Sequence, residues 1–444
     1  METIAAIATA HGTGSIAIVR VSGVKAYEIA LRLCRKESIA PRRAILSYIY
    51  DENGDALDQA ILIYFKAPNS YTAEDVVEFQ CHGGVVVAGM VLQSVIRNGA
   101  RLANPGEFTK RAFLNGRIDL SKAEAIGKLI EAKSISAAKL LSRHLKGELK
   151  DFTDKAREEL LEIIAFTEVT IDYAEEDLPQ DLEERIEEKL NFLCSQMERI
   201  LENSKQREGL IEGFRVAIVG KTNVGKSSIL NKLLQYERAI TSTIEGTTRD
   251  TIEEEIKIGT HIVKFVDTAG IRESDNEIEK IGIERSLKAM QTADIIIAVF
   301  DNERAADSED RAFLELLAQM DSDKKIFHIL NKCDLKNSFD KTLLSTPLEL
   351  SCKYDIKPLT DALNDYLNTL DIGDEIMLSS ARQITAVSQT LENLKASKEL
   401  IKEGALELFS FHLNEAITAL SSITKPYERD EILETMFNKF CLGK

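Results

Sequence analysis

The sequence predicts a multidomain protein of the α/β plus α class. It has an N-terminal α/β domain, a helical domain, and a second α/β block with a mostly parallel sheet inserted into the helical part. Three observations lead there. Residues 1 to about 117 alternate short apolar runs (IAAIA, IAIVRVSG, AILIYF, VVEFQ) with Gly, Pro and Asn, the texture of a strand-rich α/β domain. From Phe214 the runs FRVAIVG, IVKFVDTAG, DIIIAVFD and KIFHILNKCD recur between helical stretches, which is the βα alternation of a parallel sheet. Helix-spaced apolar residues lie on both sides of that block, so the two helical segments are expected to pack as one domain around an insertion.

Taken in order, the strand-rich texture ends at Asp119. Ser121-Lys122-Ala123-Glu124 fits a capping box, and AEAIGKLIEAKSISAAKLLSRHLKGELKDF follows with helical spacing. Helical sequence continues to about residue 210, broken near DYAEEDLPQD, and the charge of EEDLPQDLEERIEEK reads as a solvated face. Beyond about residue 372 helix returns in SSARQITAVSQTLENLKASKELI, LELFSFHLNEAITALSSIT and ERDEILETMFNKF. The expected divisions are therefore 1–117, 118–212, 213–372 and 373–444.

The totals agree with a soluble, well-cored chain. Its 444 residues allow about three domains, with 44% apolar and 29% charged residues. Cys34, Cys81, Cys194, Cys333, Cys352 and Cys441 are scattered without CxxC or metal-ligand spacing, as expected of reduced thiols. METIAAIATAHGTGSIAIVR lacks the basic start of a signal peptide, and no apolar run approaches the roughly 20 residues of a membrane span. A cytoplasmic protein without membrane attachment is expected. The net charge of -17 argues against a broad basic surface for nucleic acid, while leaving room for a local RNA patch or a basic partner.

The strongest motif is Gly220-Lys221-Thr222-Asn223-Val224-Gly225-Lys226-Ser227-Ser228, which satisfies GxxxxGK[ST] between a strand-like run and a helix. Its glycines let backbone N–H groups close around phosphates, and the helix N-terminus adds a favourable field. Lys226 is expected to reach the β/γ-phosphates and Ser227 to ligate Mg²⁺. Asp267-Thr268-Ala269-Gly270 ends a strand, offering a carboxylate near the metal and a glycine for the γ-phosphate. Asn331-Lys332-Cys333-Asp334 ends another. Asp334 can accept from guanine N1 and its exocyclic amine, a pair adenine cannot make. Ser351-Cys352-Lys353 fits the short loop behind the base. Together these predict GTP as ligand and GTP hydrolysis as the reaction. Ser242-Thr243-Ile244-Glu245-Gly246-Thr247-Thr248-Arg249-Asp250 forms the candidate switch, with Thr248 as the second Mg²⁺ ligand.

Two features stay open on the residues alone. Ras-like enzymes place Gln after the DTAG glycine to orient water, whereas Ile271 stands here. A carboxylate among Glu273, Glu277 and Glu279, a cation, or a second molecule must serve instead. The other feature is the ending Cys441-Leu442-Gly443-Lys444, whose last two residues do not fit a prenylation signal.

The set GKTNVGKSS, STIEGTTRD, DTAGIRESDNEIEKIG, NKCD and CLGK resembles the MnmE (TrmE) family of tRNA-modification GTPases. So do RVSG, PNSYTAEDVVEFQCHGG and NPGEFTKRAFLNGRIDLSKAEAI, so the likeness runs the whole length. The resemblance implies an N-terminal domain that binds folate and dimerises, and an inserted P-loop GTPase domain that dimerises around K⁺. It places Asn223, Ser242, Ile244 and Thr247 at the K⁺ positions and Glu279 at the water-orienting position. It places Arg20, Glu78, Arg117 and Lys444 at a site for tetrahydrofolate, as the 5-formyl or 5,10-methylene form. Arg117 keeps the charge of the Lys common there but changes its geometry. The opening AHGTGSIA departs from the family's more usual PPGRGGVG-like stretch. Cys441 is placed near the one-carbon group, either reactive or positioned. The implied function is addition of an aminomethyl-type group to C5 of the tRNA wobble uridine, by a homodimer. It would act with an FAD-binding MnmG-like partner, in a heterotetramer or larger complex. A ribosome-assembly GTPase like Era or Der is the runner-up. It predicts a KH-like GxxG loop or a second GTPase module, and a basic tail. Neither a second GKS nor a basic tail occurs here.

Overall fold

The computed structural model describes residues 2–172, 182–236, 254–266, 287–320, 324–370, 375–425, 437, 440 and 443. The chain begins with strands β1 (Ile4–Ile7) and β2 (Ile16–Ser22), helix α1 (Ala26–Cys34), strands β3 (Ile45–Tyr50), β4 (Ala56–Phe65) and β5 (Val76–His82), helix α2 (Val85–Arg97) and strand β6 (Arg101–Leu102). Helices α3 (Glu107–Leu114), α4 (Leu120–Glu131), α5 (Ile135–Lys146), α6 (Glu148–Asp172), α7 (Leu182–Gln206) and α8 (Gly209–Glu212) follow. Next come β7 (Phe214–Val219), α9 (Lys226–Tyr236), β8 (Glu254–Ile258), β9 (His261–Phe265), β10 (Ile295–Asp301), α10 (Ser308–Ala318), β11 (Lys325–Asn331), β12 (Leu348–Glu349) and α11 (Lys357–Thr369). The last two helices are α12 (Ala381–Lys402) and α13 (Leu406–Ser421).

These elements divide into two compact units. One comprises Met1–Ile130, His144–Leu190 and Gln389–Lys444, the other Glu131–Arg143 and Asn191–Ser388. In the first, six strands run in the order β3-β4-β5-β2-β1-β6, antiparallel except for β1 beside β6. Strand periodicity of two divides each strand between faces. Val19, Val21, Val77 and Phe79 point into a core shared with Ile29 and Leu33 of α1 and Val91 and Val95 of α2. The alternate residues face the other way, where Ile4 and Ala6 pack with Phe108 of α3 and Tyr71. That second face carries Arg20 and Glu78. Further along, α6 packs against α13.

The start of α4 corrects the sequence reading. Asp119, not Ser121, caps the helix: its carboxylate accepts from the Lys122 amide at 3.0 Å and from the Ser121 hydroxyl. Ser121 lies one turn too deep to cap, because the Asp two residues earlier satisfies the same orphan donors first. The long helical stretch that follows is broken at residues 132–134 and at Gly147 (φ +107°), with the Ser134 hydroxyl accepting from the Ala137 amide at 3.0 Å to open α5.

In the second unit the order is β12-β11-β10-β7-β9-β8, parallel throughout except β8 against β9. Every residue of β10, IIIAVFD, is buried, as a parallel strand covered on both faces requires. Ile295, Ile297 and Val299 join one core with Val216, Ile229 and Leu363, while Ile296, Ala298 and Phe300 join the other with Ala217 and Leu317. The predicted mostly parallel sheet is therefore present. Among the described residues no helix is long and apolar enough to cross a membrane.

An ion-pair network locks α3 to the first sheet. Arg101 donates to both oxygens of Glu107 (2.8 and 2.6 Å), and the buried Arg111 joins Glu107 at 2.9 Å and Glu74 at 3.0 Å. Burial alone would raise the Glu107 carboxyl, but the Arg101 guanidinium, the Asn104 amide and Arg111 outweigh it and bring it down to about 2. A carboxylate depressed in the folded state contributes stability above its unfolded value of 4.5 and loses it as pH falls through about 2. In urea unfolding, the wild-type advantage over Glu107→Gln should be constant from neutrality down to the unfolded value and shrink below it. An advantage that did not vary with pH would remove the network from the account.

Candidate functional site

The phosphate-binding loop joins β7 to α9 at the carboxyl end of the parallel sheet, where α/β sheets place ligands. Its backbone needs three left-handed residues: Gly220 (φ +147°), Asn223 (φ +62°) and Gly225 (φ +101°). A Cβ on Gly220 would sit 2.4 Å from the Val299 carbonyl oxygen, and one on Gly225 only 2.2 Å from Asn331 Nδ2. Both glycines therefore permit close approach as well as the turn. Lys226 folds across the loop, its Nζ donating to the carbonyls of Gly220 at 2.9 Å and Lys221 at 2.5 Å. Burial holds this ammonium below the usual lysine range. Ser227 and Ser228 occupy the first turn of α9, and Asn223 is exposed on the loop.

Asn331 ties three loops together. Its Nδ2 donates to the Val224 carbonyl at 2.8 Å, while its Oδ1 accepts from the Cys352 amide at 3.1 Å and from Cys352 Sγ at 2.8 Å. Asp334, exposed at the end of this segment, accepts from the Ser351 hydroxyl at 2.6 Å, which holds its carboxyl below the usual range. An ionised, solvent-facing acceptor at that place fits guanine recognition. Lys332 takes φ +65° and pairs with Asp301 at 2.6 Å, and Lys353 lies over the Tyr354 ring. Direct contacts thus join Val224 to Asn331, Asn331 to Cys352, and Ser351 to Asp334, while Lys226 closes back on its own loop. Ser242, Thr243, Ile244, Glu245, Gly246, Thr247, Thr248, Asp267, Thr268, Ala269, Gly270 and Glu279 lie outside the described residues.

Sequence reading missed a clamp on the loop. Lys221 pairs with Asp307, with Glu309 at 3.1 Å and with Asp310 at 3.2 Å, all at the start of α10. The pattern Asp307-Ser308-Glu309-Asp310 is a capping box, legible as a helix start. Its reach to Lys221, 86 residues earlier, is not legible.

In the first unit, Arg20 and Glu78 stand opposite each other on β2 and β5 and pair at 2.9 Å. The guanidinium lies 5.4 Å from the Tyr71 ring centroid and 5.7 Å from that of Phe108. Arg117 follows α3 and lines an open pocket that Tyr71 also lines. Lys444 and Cys441 lie outside the described residues, but their neighbours are placed. The Phe440 ring packs on Gly127, where a Cβ would come within 2.8 Å of it, and Gly443 sits against the Ile7 carbonyl. Ala6, beside Ile7, is the register partner of Arg20. Phe437, Phe440 and Gly443 thus meet the first sheet and helices α3 and α4.

Residues 3–117 match the family described as the N-terminus of GTP-binding protein TrmE, and residues 120–441 match the MnmE helical domain. The tRNA modification GTPase MnmE of Aliarcobacter butzleri is 56% identical over 443 residues, covering 100% of this chain and 99% of the relative. The chain belongs to the MnmE family. Its Sulfurimonas denitrificans member is 55% identical over 443 residues, covering 100% of this chain and 99% of the relative. The one from Campylobacter jejuni subsp. doylei is 51% identical over 447 residues, covering all of both chains. As a member of the MnmE family the chain is a GTPase that binds GTP.

Gly225→Ala would place a methyl group against Asn331 in a left-handed backbone and should cost about 2 kcal/mol. Its unfolding midpoint and its nucleotide affinity should fall together. An unchanged midpoint would show that Asn331 can withdraw without loss.

Proposed function

We propose that this chain is a K⁺-dependent GTPase that modifies tRNA. Acting in the cytoplasm as a homodimer, it adds an aminomethyl-type group to C5 of the wobble uridine. It works with an FAD-binding, MnmG-like partner in a heterotetramer or larger complex, and tetrahydrofolate gives the carbon. The observation that carries this reading is the likeness, at more than half identity and end to end, to relatives named tRNA modification GTPase. Residues 1–117 then serve as the folate-binding and dimerisation domain, 118–212 and 373–444 as the helical domain, and 213–372 as the GTPase domain.

The chain's own groups divide the work. Asp334, kept ionised by Ser351, accepts from guanine and rejects adenine. Asn331, Lys332 and Lys353 brace the loops around the base, while the backbone of residues 223–228 cradles the phosphates. Lys226 exchanges its two carbonyl acceptors for phosphate oxygens. Ser227 with Thr248 would hold Mg²⁺, with the Asp267 carboxylate near it, and Asn223 with Ser242, Ile244 and Thr247 would hold K⁺. Glu279 orients the attacking water in place of the missing Gln. In the other unit, Arg20 and Glu78 offer a guanidinium and a carboxylate side by side over two aromatic rings, a donor and acceptor set suited to a pterin. Arg117 and Lys444 add charge for the rest of the folate. The placement of Gly443 against Ile7 supports delivery of the CLGK segment to that face. Bound cations supply positive charge to the phosphates, and bound folate supplies the one-carbon unit.

Hydrolysis should run at least about tenfold faster in K⁺ than in Na⁺, and Glu279→Ala should slow it by about a hundredfold. Equal rates in the two salts would sink the cation role, and an unimpaired variant would remove Glu279 from the mechanism. Asp334→Asn replaces one of the two acceptor oxygens by a donor and removes the charge. It should weaken GTP by at least about a hundredfold and improve xanthosine triphosphate. Unaltered GTP affinity would place the base elsewhere.

A further inference from the structure

The pocket that holds Arg117 contains two more cations. Arg42 and Lys122 line it with Arg117, in an open volume of about 480 Å³ walled on its apolar side by Phe65, Ile118 and Leu145. No acidic side chain lines it, and among the described residues none of the three cations has a carboxylate partner. In a chain of net charge -17 such a grouping is a preference for an anion. Arg42 is fixed at the rim. Its backbone takes φ +59°, its amide donates to the Tyr64 carbonyl at 2.7 Å, and its Nη2 donates to the Asn69 carbonyl at 2.8 Å. Tyr71 connects this pocket to the Arg20–Glu78 pair, since its ring forms part of the wall and also lies 5.4 Å from the Arg20 guanidinium.

We infer that the pocket takes the poly-γ-glutamate tail of the folate, an inference that rests on the folate reading of Arg20, Glu78 and Arg117. One glutamate brings an α- and a γ-carboxylate, and each further γ-linked residue adds one carboxylate. Three cations therefore match a tail longer than one glutamate, while the apolar wall suits the aryl amide that precedes it. Arg117 serves the first glutamate, and Arg42 with Lys122 serves the extension.

The test is equilibrium dialysis of the full chain with 5-formyl-tetrahydrofolate carrying one or five glutamates. The pentaglutamate should bind about tenfold tighter, the size of two partly solvated ion pairs. In the double variant Arg42→Gln with Lys122→Gln that ratio should fall to near unity, with monoglutamate affinity changed by less than about twofold and GTP hydrolysis unchanged. Arg43→Gln, the exposed sequence neighbour of Arg42 and outside the pocket's lining, controls for general charge and should keep the ratio. Equal affinities in the wild type, or a ratio that survives the double variant, would overturn the assignment while leaving the folate reading intact. Absence of saturable binding for both ligands would overturn the folate reading itself and the tail site with it.

Discussion

The side-chain amide of Asn331 is the constraint on which the nucleotide end of the second unit rests. It bonds simultaneously to the phosphate loop through Val224 and to the loop behind the base through Cys352. Those loops come from sequence positions more than a hundred residues apart. Buried among apolar neighbours, an amide so placed must keep every partner, because each unsatisfied group would cost about 1–3 kcal/mol. This explains the tight approach at Gly225: any side chain there would displace the amide and loosen both loops together. The loops proposed to hold the base and the phosphates are thus one mechanical object, with Asp334 carried on the same short segment.

The first unit solves a different problem. Its sheet is covered by α1 and α2 on one face, which leaves the other for α3, the buried arginine network and the Arg20–Glu78 pair. Charged groups can survive there because Glu74, Glu107, Arg101 and Arg111 pair in a connected set rather than singly. The aromatic rings of Tyr71 and Phe108 beside Arg20 give the same guanidinium a partly desolvated setting, where its interactions are stronger than in open solvent.

What was legible in the sequence was what depends on local order. The GxxxxGKS loop, the apolar β10 run and the parallel sheet follow from neighbours in sequence, and so do the helix-spaced apolar stretches on either side of the inserted block. The cap of α4 was misread by two residues because Ser121 and Asp119 both suit a helix start, and only the backbone decides which reaches the free amide. The Lys221 clamp, the seating of Phe440 on Gly127 and the grouping of Arg42 with Arg117 and Lys122 are long-range. A lone exposed arginine and a lone glycine give no sign of their partners. The switch residues and Glu279, named from motif order and family likeness, lie outside the described residues, so their geometry adds nothing to that comparison.

Lys226 carries a consequence for how tightly nucleotide is held. Its ammonium is solvated from within, by two carbonyls of the very loop it serves. Binding a phosphate is therefore an exchange of one acceptor shell for another, and the observed affinity is the difference between the two. The loop's own carbonyls act as a resident competitor, always at high local concentration and ready to take the ammonium back.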